Sequence, residues 1–133
     1  MAFEHPVRVY WEDTDAGGIV FYANYLQFFE RARTEWLRSL GLNQGELRES
    51  TGGLFIVSET SVRYLQPARL DDELLVTAGL VEAGRASLII AQQARMKRTG
   101  ALLCEGTIRI GWVDAQRLRP ARIPPIILEA LEQ

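Results

Sequence analysis

The sequence is poor in the side chains that many enzymes use for nucleophilic chemistry. Its 133 residues contain one cysteine, Cys104, and one histidine, His5. A single cysteine excludes an internal disulfide, which fits a reducing compartment. A serine–histidine–acid triad would have to use His5, and the sequence has no Gly-x-Ser-x-Gly turn to present a serine. We therefore interpret His5 as a solvent-exposed terminal residue and Cys104 as a small buried hydrophobe.

Metal and nucleotide chemistry have equally little support. Glu12, Asp13 and Asp15 are close in sequence, but they lack the histidine or cysteine partners that are typical of a transition-metal site. The Ala-Gly-Gly stretch at 16–18 has neither Rossmann nor P-loop spacing. We expect that the protein needs no metal or organic cofactor.

Charge and hydropathy disfavour two further classes. The formal net charge is −2, so no basic surface for nucleic acid is implied. No stretch is long and apolar enough to form an integral membrane segment, and Met1–Pro6 lacks the apolar run of a signal peptide. We expect a cytoplasmic protein.

The chain length and the 47% of hydrophobic residues suit one domain, 1–133, with a sizeable core. Alternating side chains predict a first strand over Val7–Trp11. A long helix is predicted to begin at Asn24, a favoured N-cap with Gln27 at the capping-box position, and to end before Gly41. A short helix over 44–49 and a last helical turn over 126–131 are also predicted.

The long helix has a wide apolar face, and the second half of the chain is rich in strands. The predicted face consists of Leu26, Phe29, Ala32, Trp36 and Leu40, widened by Tyr25, Phe28 and Leu37. The predicted strands are Leu54–Leu65, Glu73–Glu82, Ala86–Arg98 and Leu102–Val113, with Gln92 as the polar exception on an apolar face. Short turns between them indicate antiparallel hairpins, and hence an α+β arrangement. Because edge strands need covering, self-association is expected.

The most informative segment is the acidic loop before the long helix, where Asp13 and Asp15 precede Gly17 and Gly18. A helix N-terminus presents unpaired N–H groups and a partial positive charge. A carboxylate facing such an end could attack a carbonyl or activate water, while the N–H groups stabilise the negative charge on the carbonyl oxygen. The alternative is an acidic loop that only caps the helix, and composition alone favours that alternative.

Five segments resemble the YbgC-type acyl-CoA thioesterases, which belong to the 4-hydroxybenzoyl-CoA thioesterase branch of the hotdog superfamily. They are Tyr10–Val20, Asn24–Leu26, Phe29–Leu37, Tyr64–Asp72 and Val81–Ser87. The run Asp-Thr-Asp-x-x-Gly-x-Val-x-x-x-x-Tyr at 13–25 is fairly specific, because it is long and correctly placed before the helix. The resemblance covers nearly the whole chain.

The resemblance implies a hotdog fold, in which a curved antiparallel sheet wraps around one long central helix. It also implies a dimer with a continuous sheet, often paired again into a tetramer, with active sites at the dimer interface. The implied activity is hydrolysis of an acyl-CoA thioester to free acid and CoA. Proteins of this type are associated with the Tol-Pal envelope system and with acyl carrier protein, which is therefore a candidate partner.

The resemblance also assigns roles to single residues. Asp15 matches the catalytic carboxylate and would act as nucleophile or general base, and both remain open. The backbone N–H at Tyr22 would point at the thioester oxygen, and Asn24 would orient the helix end. Gly17 and Gly18 would let the backbone turn and approach the substrate. Many relatives have histidine where this chain has Tyr22, so short aliphatic and aromatic acyl groups both remain open.

Three strand residues and several cations complete the expected site. Ser58, Glu59 and Thr60 lie on the strand that, in the family, passes near the site of the partner subunit, where one of them would order water or hold Asp15. Asp13 is interpreted as a loop residue that bonds nearby backbone N–H groups. Candidates for binding the CoA phosphates are Arg95, Lys97, Arg98, Arg117, Arg119 and Arg122, with solvated surface charge as the alternative for most of them.

Two other functions remain as alternatives. A hydratase or dehydratase of the same fold usually relies on a histidine with an acid, and His5 is badly placed for that role. A non-enzymatic module that binds acyl thioesters or proteins is the other alternative. Substitution of Asp15 by asparagine separates an enzyme, which loses turnover, from a binder, which is barely affected.

Overall fold

A computed structural model describes residues 3–132 of the chain. In chain order its elements are β1 (Phe3–Arg8), α1 (Asn24–Ser39), α2 (Gln44–Thr51), β2 (Gly53–Tyr64), β3 (Glu73–Ala83), β4 (Ser87–Met96), β5 (Leu102–Asp114) and α3 (Pro125–Leu131). The five strands form one antiparallel sheet in the order β1-β3-β4-β5-β2. The predicted α+β class is therefore confirmed.

The sheet has one face that is closed by apolar side chains. Along β3 and β4 the alternate residues Leu74, Val76, Leu88 and Ile90 are fully buried, as period-two patterning predicts. Gln92 is the predicted polar exception and is also buried. The edge strands β1 and β2 each have a single neighbour, β3 and β5 respectively. Their outer backbone edges are not paired with another described strand.

Helix α1 packs its apolar face against β1, β3 and β4. It ends as predicted at Gly41, whose φ of +83° is a left-handed conformation that glycine adopts without strain. The Leu42 N–H donates to Leu37 O at 2.9 Å and the Gly41 N–H to Arg38 O at 3.0 Å. This pair of hydrogen bonds is the Schellman motif, which satisfies the last carbonyls of the helix.

One prediction about the apolar face of α1 needs correction. Phe28, Phe29 and Trp36 are buried as predicted, but Leu26 is 41% exposed. Residues 3–132 contain three α-helices of modest length, of which α1 with 16 residues is the longest, and the predicted wrapping of the sheet around one long central helix is not confirmed. None of these helices has the length and apolar character needed to span a lipid bilayer.

The first strand also differs from its prediction. It covers Phe3–Arg8, and the chain then forms a 3-10 turn over Trp11–Asp13. The cause is a local competition for hydrogen bonds, because the Asp13 carboxylate accepts from the Tyr10 N–H at 2.8 Å and turns the chain away from β3. His5, which was predicted to be exposed, pairs with Val76 within the sheet and is half-buried.

Candidate active site

The acidic loop folds into a short hairpin over residues 13–21, the acidic hairpin. Three pairings join its arms: Phe21 N–H donates to Asp13 O at 2.9 Å, Thr14 pairs with Val20, and Asp15 N–H donates to Ile19 O at 2.9 Å. At the tip, the Gly18 N–H donates to Asp15 O at 3.0 Å, and Gly18 has a φ of +78°. The turning role predicted for Gly18 is therefore confirmed, while its contact with substrate stays a prediction.

Asp15 lies next to the tip of the acidic hairpin and is exposed in the single chain. Its Oδ1 accepts a hydrogen bond from the Gly17 N–H at 2.8 Å. A Cβ at position 17 would lie 3.2 Å from that oxygen, so a side chain there would crowd the carboxylate. No described residue donates to Oδ2 of Asp15, which leaves this oxygen available to a water molecule or a carbonyl carbon.

Asp13 and Asn24 pair with each other beneath the hairpin. Asn24 was predicted to be the N-cap of α1, but it is the first helical residue, and Ala23 occupies the cap without a side-chain hydrogen bond. The Asn24 side chain turns inward instead and donates from Nδ2 to Asp13 Oδ1 at 2.8 Å. Asp13 accepts from the Tyr10 N–H as well, so its predicted role as an acceptor for loop N–H groups is confirmed.

The start of α1 follows directly from the second arm of the hairpin. The Asn24 N–H donates to Phe21 O at 2.8 Å, but the N–H groups of Tyr22 and Ala23 have no acceptor among the described residues. Such free donors at a helix start carry a partial positive charge. They are suited to bind a carbonyl oxygen that becomes negative.

An apolar cavity of about 310 Å³ opens beside these donors. It is lined by Ile19, Val20, Tyr22, Tyr25, Tyr64, Leu65, Gln66 and Pro67. The Tyr64 ring contacts the rings of both other tyrosines, with centroid distances of 6.1 Å to Tyr22 and 5.8 Å to Tyr25. These contacts give the cavity an aromatic wall, which suits an apolar ligand of limited size.

Two of the cavity residues, Tyr25 and Tyr64, are not bases at neutral pH. Burial raises the pKa of Tyr25 to about 12, although the hydrogen bond that its oxygen accepts from the Ala68 N–H at 3.3 Å opposes this shift. Burial also raises the pKa of Tyr64, with smaller contributions from Cys104 and Tyr22. Both side chains therefore serve as neutral walls and hydrogen-bonding groups.

The other predicted site residues lie elsewhere on the chain. Ser58, Glu59 and Thr60 are exposed on β2, where a bulge between Val57 and Glu59 shifts the register with β5. Ser58 and Glu59 line a separate cavity of about 420 Å³ with residues of β4, β5 and the C-terminal segment. The single chain therefore does not bring these three residues to the cavity beside Tyr22.

The candidate CoA-binding cations differ in their surroundings. Arg95 donates to Gln93 Oε1 and to Gly100 O, each at 2.9 Å, and Lys97 Nζ lies 3.8 Å from Glu73 Oε2. The other four candidate cations form no ion pair with a described residue, namely Arg98, Arg117, Arg119 and Arg122. These four remain available to an anion.

Two further expectations concern metal and thiol chemistry. Within residues 3–132, no three His, Cys, Asp or Glu side chains form a group that could hold a metal ion. Cys104 is fully buried as predicted, and burial raises the pKa of its thiol to about 12. The thiol is therefore protonated and inaccessible, which argues against a cysteine nucleophile.

Sequence reasoning missed the tyrosine wall of the cavity. Tyr25 was assigned to the helix face and to the end of the motif at 13–25, and Tyr64 to a strand and to the start of a resembling segment, but neither was assigned to the site. No periodicity in the sequence links Tyr22 with Tyr64, because they belong to different elements. The one available signal was the concentration of aromatic residues at the start of the helix.

Comparison with known proteins assigns the family. Residues 9–131 match the thioesterase-like superfamily. The acyl-CoA thioesterase YbgC of Haemophilus influenzae is 42% identical over 92% of this chain and 88% of that protein. The acyl-CoA thioester hydrolase YbgC of Escherichia coli is 38% identical over 98% of this chain and 96% of that protein.

Among solved structures, a 1,4-dihydroxy-2-naphthoyl-CoA thioesterase from Synechocystis superposes with a TM-score of 0.90. The match covers 98% of this chain and 96% of that one at 21% identity, which shows a common fold. The chain belongs to the thioesterase-like superfamily and, within it, to the YbgC-type thioester hydrolases.

Proposed function

We propose that this protein hydrolyses acyl-CoA thioesters to the free acid and CoA, with Asp15 as nucleophile or general base. The observation that carries the proposal is the acidic hairpin, which bears the Asp15 carboxylate on one arm and leads from the other into the free N–H groups of Tyr22 and Ala23. An attacking group and donors for the oxyanion therefore belong to one short, hydrogen-bonded unit.

The two versions of the reaction share these groups. As nucleophile, Asp15 Oδ2 would attack the thioester carbon, and the resulting mixed anhydride would be hydrolysed after CoA leaves. As general base, the same oxygen would take a proton from water while the oxygen of that water attacks. In both, the thiolate of CoA is the leaving group and the N–H groups at Tyr22 and Ala23 stabilise the oxyanion.

The tyrosine-lined cavity is the proposed binding site for the acyl group. It is apolar, adjoins Tyr22 and has a volume of about 310 Å³. Gly18 would shape the hairpin and Asn24 would orient the helix start, and neither would take part in bond making or breaking. Arg98, Arg117, Arg119 and Arg122, which form no ion pairs with described residues, are the proposed candidates for the CoA phosphates.

Self-association is part of the proposal. The outer edge of β2 has no strand partner within the described residues, and Ile56 and Val57 expose apolar surface there. Pairing of two such edges would give the continuous sheet that the resemblance implies, wrapped around the α1 helices, and would bring Ser58, Glu59 and Thr60 towards the site of the partner subunit. Light scattering on the purified protein should give twice or four times the chain mass of 15.0 kDa.

The experiment that tests the proposal measures thiol release from a panel of acyl-CoA substrates. The panel covers short and long aliphatic chains and 4-hydroxybenzoyl-CoA, and it includes acyl carrier protein thioesters because the resemblance suggests that partner. Asp15→Asn should lower kcat by about a hundred-fold or more. Its amide oxygen can still accept from the Gly17 N–H, so the hairpin should persist.

The matched control is Glu12→Gln, which removes an exposed carboxylate from the adjoining turn and should leave kcat unchanged. Equal loss in both variants would contradict a specific role for Asp15. Absence of turnover on every substrate, combined with binding of acyl-CoA that Asp15→Asn does not alter, would favour the binding module.

A further inference from the structure

We propose that Asp13 and Asn24 form a positioning pair that sets the geometry between the Asp15 carboxylate and the N–H groups at the start of α1. This inference rests on the proposed function. It assigns to the first acid of the loop a role in the reaction that does not involve contact with the substrate. The pair consists of one buried hydrogen bond, from Asn24 Nδ2 to Asp13 Oδ1 at 2.8 Å.

The Asp13 carboxylate is buried. The residue is 3% exposed, and none of the ion pairs between described residues includes it. A buried carboxylate without a cation is costly unless hydrogen bonds satisfy it. Two donors do so here, because Oδ2 accepts from the Tyr10 N–H and Oδ1 from Asn24, each at 2.8 Å.

The Asp13 carboxylate also connects segments that belong to different elements. Tyr10 belongs to the stretch that leaves β1, Asp13 begins the acidic hairpin, and Asn24 is the first residue of α1. The backbone of Asp13 also accepts from the Phe21 N–H at 2.9 Å, on the opposite arm. The Asp13 side chain therefore fixes the base of the hairpin to the end of β1 and to the start of α1, while the Asp13 carbonyl joins the two arms.

The reacting groups lie between Asp13 and Asn24 along the chain. Asp15 is two residues beyond Asp13 on one arm, and Tyr22 and Ala23 lie between the other arm and Asn24. A change at the Asp13–Asn24 bond would therefore rotate the hairpin relative to the helix start. A displacement of about 1 Å between reacting groups can cost about a hundred-fold in rate.

The hydrogen bond from Asn24 to Asp13 has a defined direction, which exchange of the two side chains can test. A carboxylate only accepts hydrogen bonds, so Asn24 must present its amide group as donor. In Asp13→Asn the new amide keeps its oxygen for the Tyr10 N–H, and Asn24 can turn its own amide to accept from the new N–H, so one hydrogen bond remains. In Asn24→Asp two carboxylates face each other. The double variant restores one donor and one acceptor with the bond direction reversed, and it keeps the net charge of the natural chain.

We expect Asn24→Asp to lower kcat by about ten- to a hundred-fold, with KM changed less than about threefold, whereas Asp13→Asn should stay within about threefold of the natural kcat. The double variant should recover kcat to within about threefold of the natural protein. Thermal unfolding and circular dichroism are measured alongside, and kcat is referred to the folded fraction. Asn24→Ala, which favours helix and leaves Asp13 with one donor, replaces Asn24→Asp if that variant does not fold.

The outcomes separate the two proposals. If Asp15→Asn abolishes turnover while Asn24→Asp keeps its kcat, the positioning pair is wrong and the proposed function stands. The pair is also wrong if the double variant regains its unfolding temperature but not its kcat. If Asp15→Asn has the same activity as the natural protein, the proposed function itself fails.

Discussion

The Arg33 guanidinium donates a hydrogen bond from Nη1 to Gln92 Oε1 at 2.9 Å, in the interior between α1 and β4. Gln92 in turn donates from Nε2 to Phe29 O at 2.9 Å and to Thr77 O at 3.1 Å. Burial lowers the pKa of Arg33, and nearby Glu30 partly offsets this effect. A neutral amide thus links a buried cation to the backbone of both the helix and the sheet.

Replacement of Gln92 by leucine should lower the free energy of unfolding by about 2–3 kcal/mol, because Arg33 loses its acceptor in the interior. The double variant Arg33→Met with Gln92→Leu should recover most of this loss, since no buried charge remains. Urea denaturation of the natural protein, the two single variants and the double variant gives the coupling free energy between Arg33 and Gln92. Gln93→Leu, which lies on the opposite face of β4, is the control, and additive effects of the two changes would contradict the coupling.

Replacement of Gly17 by alanine should lower kcat by about tenfold without loss of stability, because the added Cβ would lie 3.2 Å from Asp15 Oδ1 and displace the carboxylate. Gly45→Ala is a matched control on α2, where the added Cβ would crowd the Asn43 side-chain oxygen at 3.3 Å, away from the site. Steady-state kinetics and thermal unfolding of both variants test this. Unchanged kcat in Gly17→Ala would show that the carboxylate tolerates the crowding.

Replacement of Tyr22 by alanine should change substrate preference more than it changes catalysis. The backbone N–H remains, but one aromatic wall of the acyl cavity is lost. We expect kcat/KM for an aromatic acyl-CoA to fall about two- to tenfold relative to a short aliphatic one, which is the range of an aromatic contact. Tyr10→Ala removes an exposed tyrosine outside the cavity and serves as control. An equal fall for all substrates would contradict a role in selectivity.

The free energy of unfolding should decrease above about pH 9. The Cys104 thiol has an ordinary pKa of 9.0, and burial raises its pKa to about 12 in the folded chain. The unfolded thiol loses its proton first, so stability is constant below the unfolded pKa and falls by at most about 1.4 kcal/mol per pH unit between the two values. Urea midpoints from about pH 8 to about pH 10.5 measure the slope.

The same measurement on Cys104→Ala should give a shallower decrease over this pH range, even though the variant is less stable overall because of the cavity. Tyr25 contributes with the same sign at higher pH, since its pKa rises from 10.0 to about 12. An identical slope in the natural chain and in Cys104→Ala would contradict the assignment to the thiol.

Patterns that depend on neighbouring residues were predicted well. Gly41 ends α1 because a helix end needs a left-handed residue, and alternation along β3 identifies Leu74 and Val76 as core. Gln92 could be singled out as a polar residue on an apolar face, although its link to Arg33 could not. Local geometry fixes such features, so the sequence contains the signal for them.

Features that depend on distant partners were predicted less well. Leu26 follows the helical spacing of the core but is 41% exposed, although Tyr25 and Phe28 at the same end of α1 are buried. Asn24 has the composition of an N-cap, and only the folded chain places the Asp13 carboxylate where it attracts the amide inward. The acidic hairpin was recognised from its motif, whereas the register that pairs Asp15 with Ile19 is a property of the fold.

The strand order also has a consequence for folding during synthesis. Among residues 3–132, β2 pairs only with β5, so the ladder at Gly53 cannot form until Asp114 has been synthesised. At the other edge, Phe3 cannot pair until Ala78 has been synthesised. Pairings between segments so far apart in sequence fold slowly. While the C-terminal part is still in the ribosome, the apolar edge at Ile56 and Val57 is open to other chains. Variants that delay β5 should therefore aggregate in cells before they lose stability in the test tube.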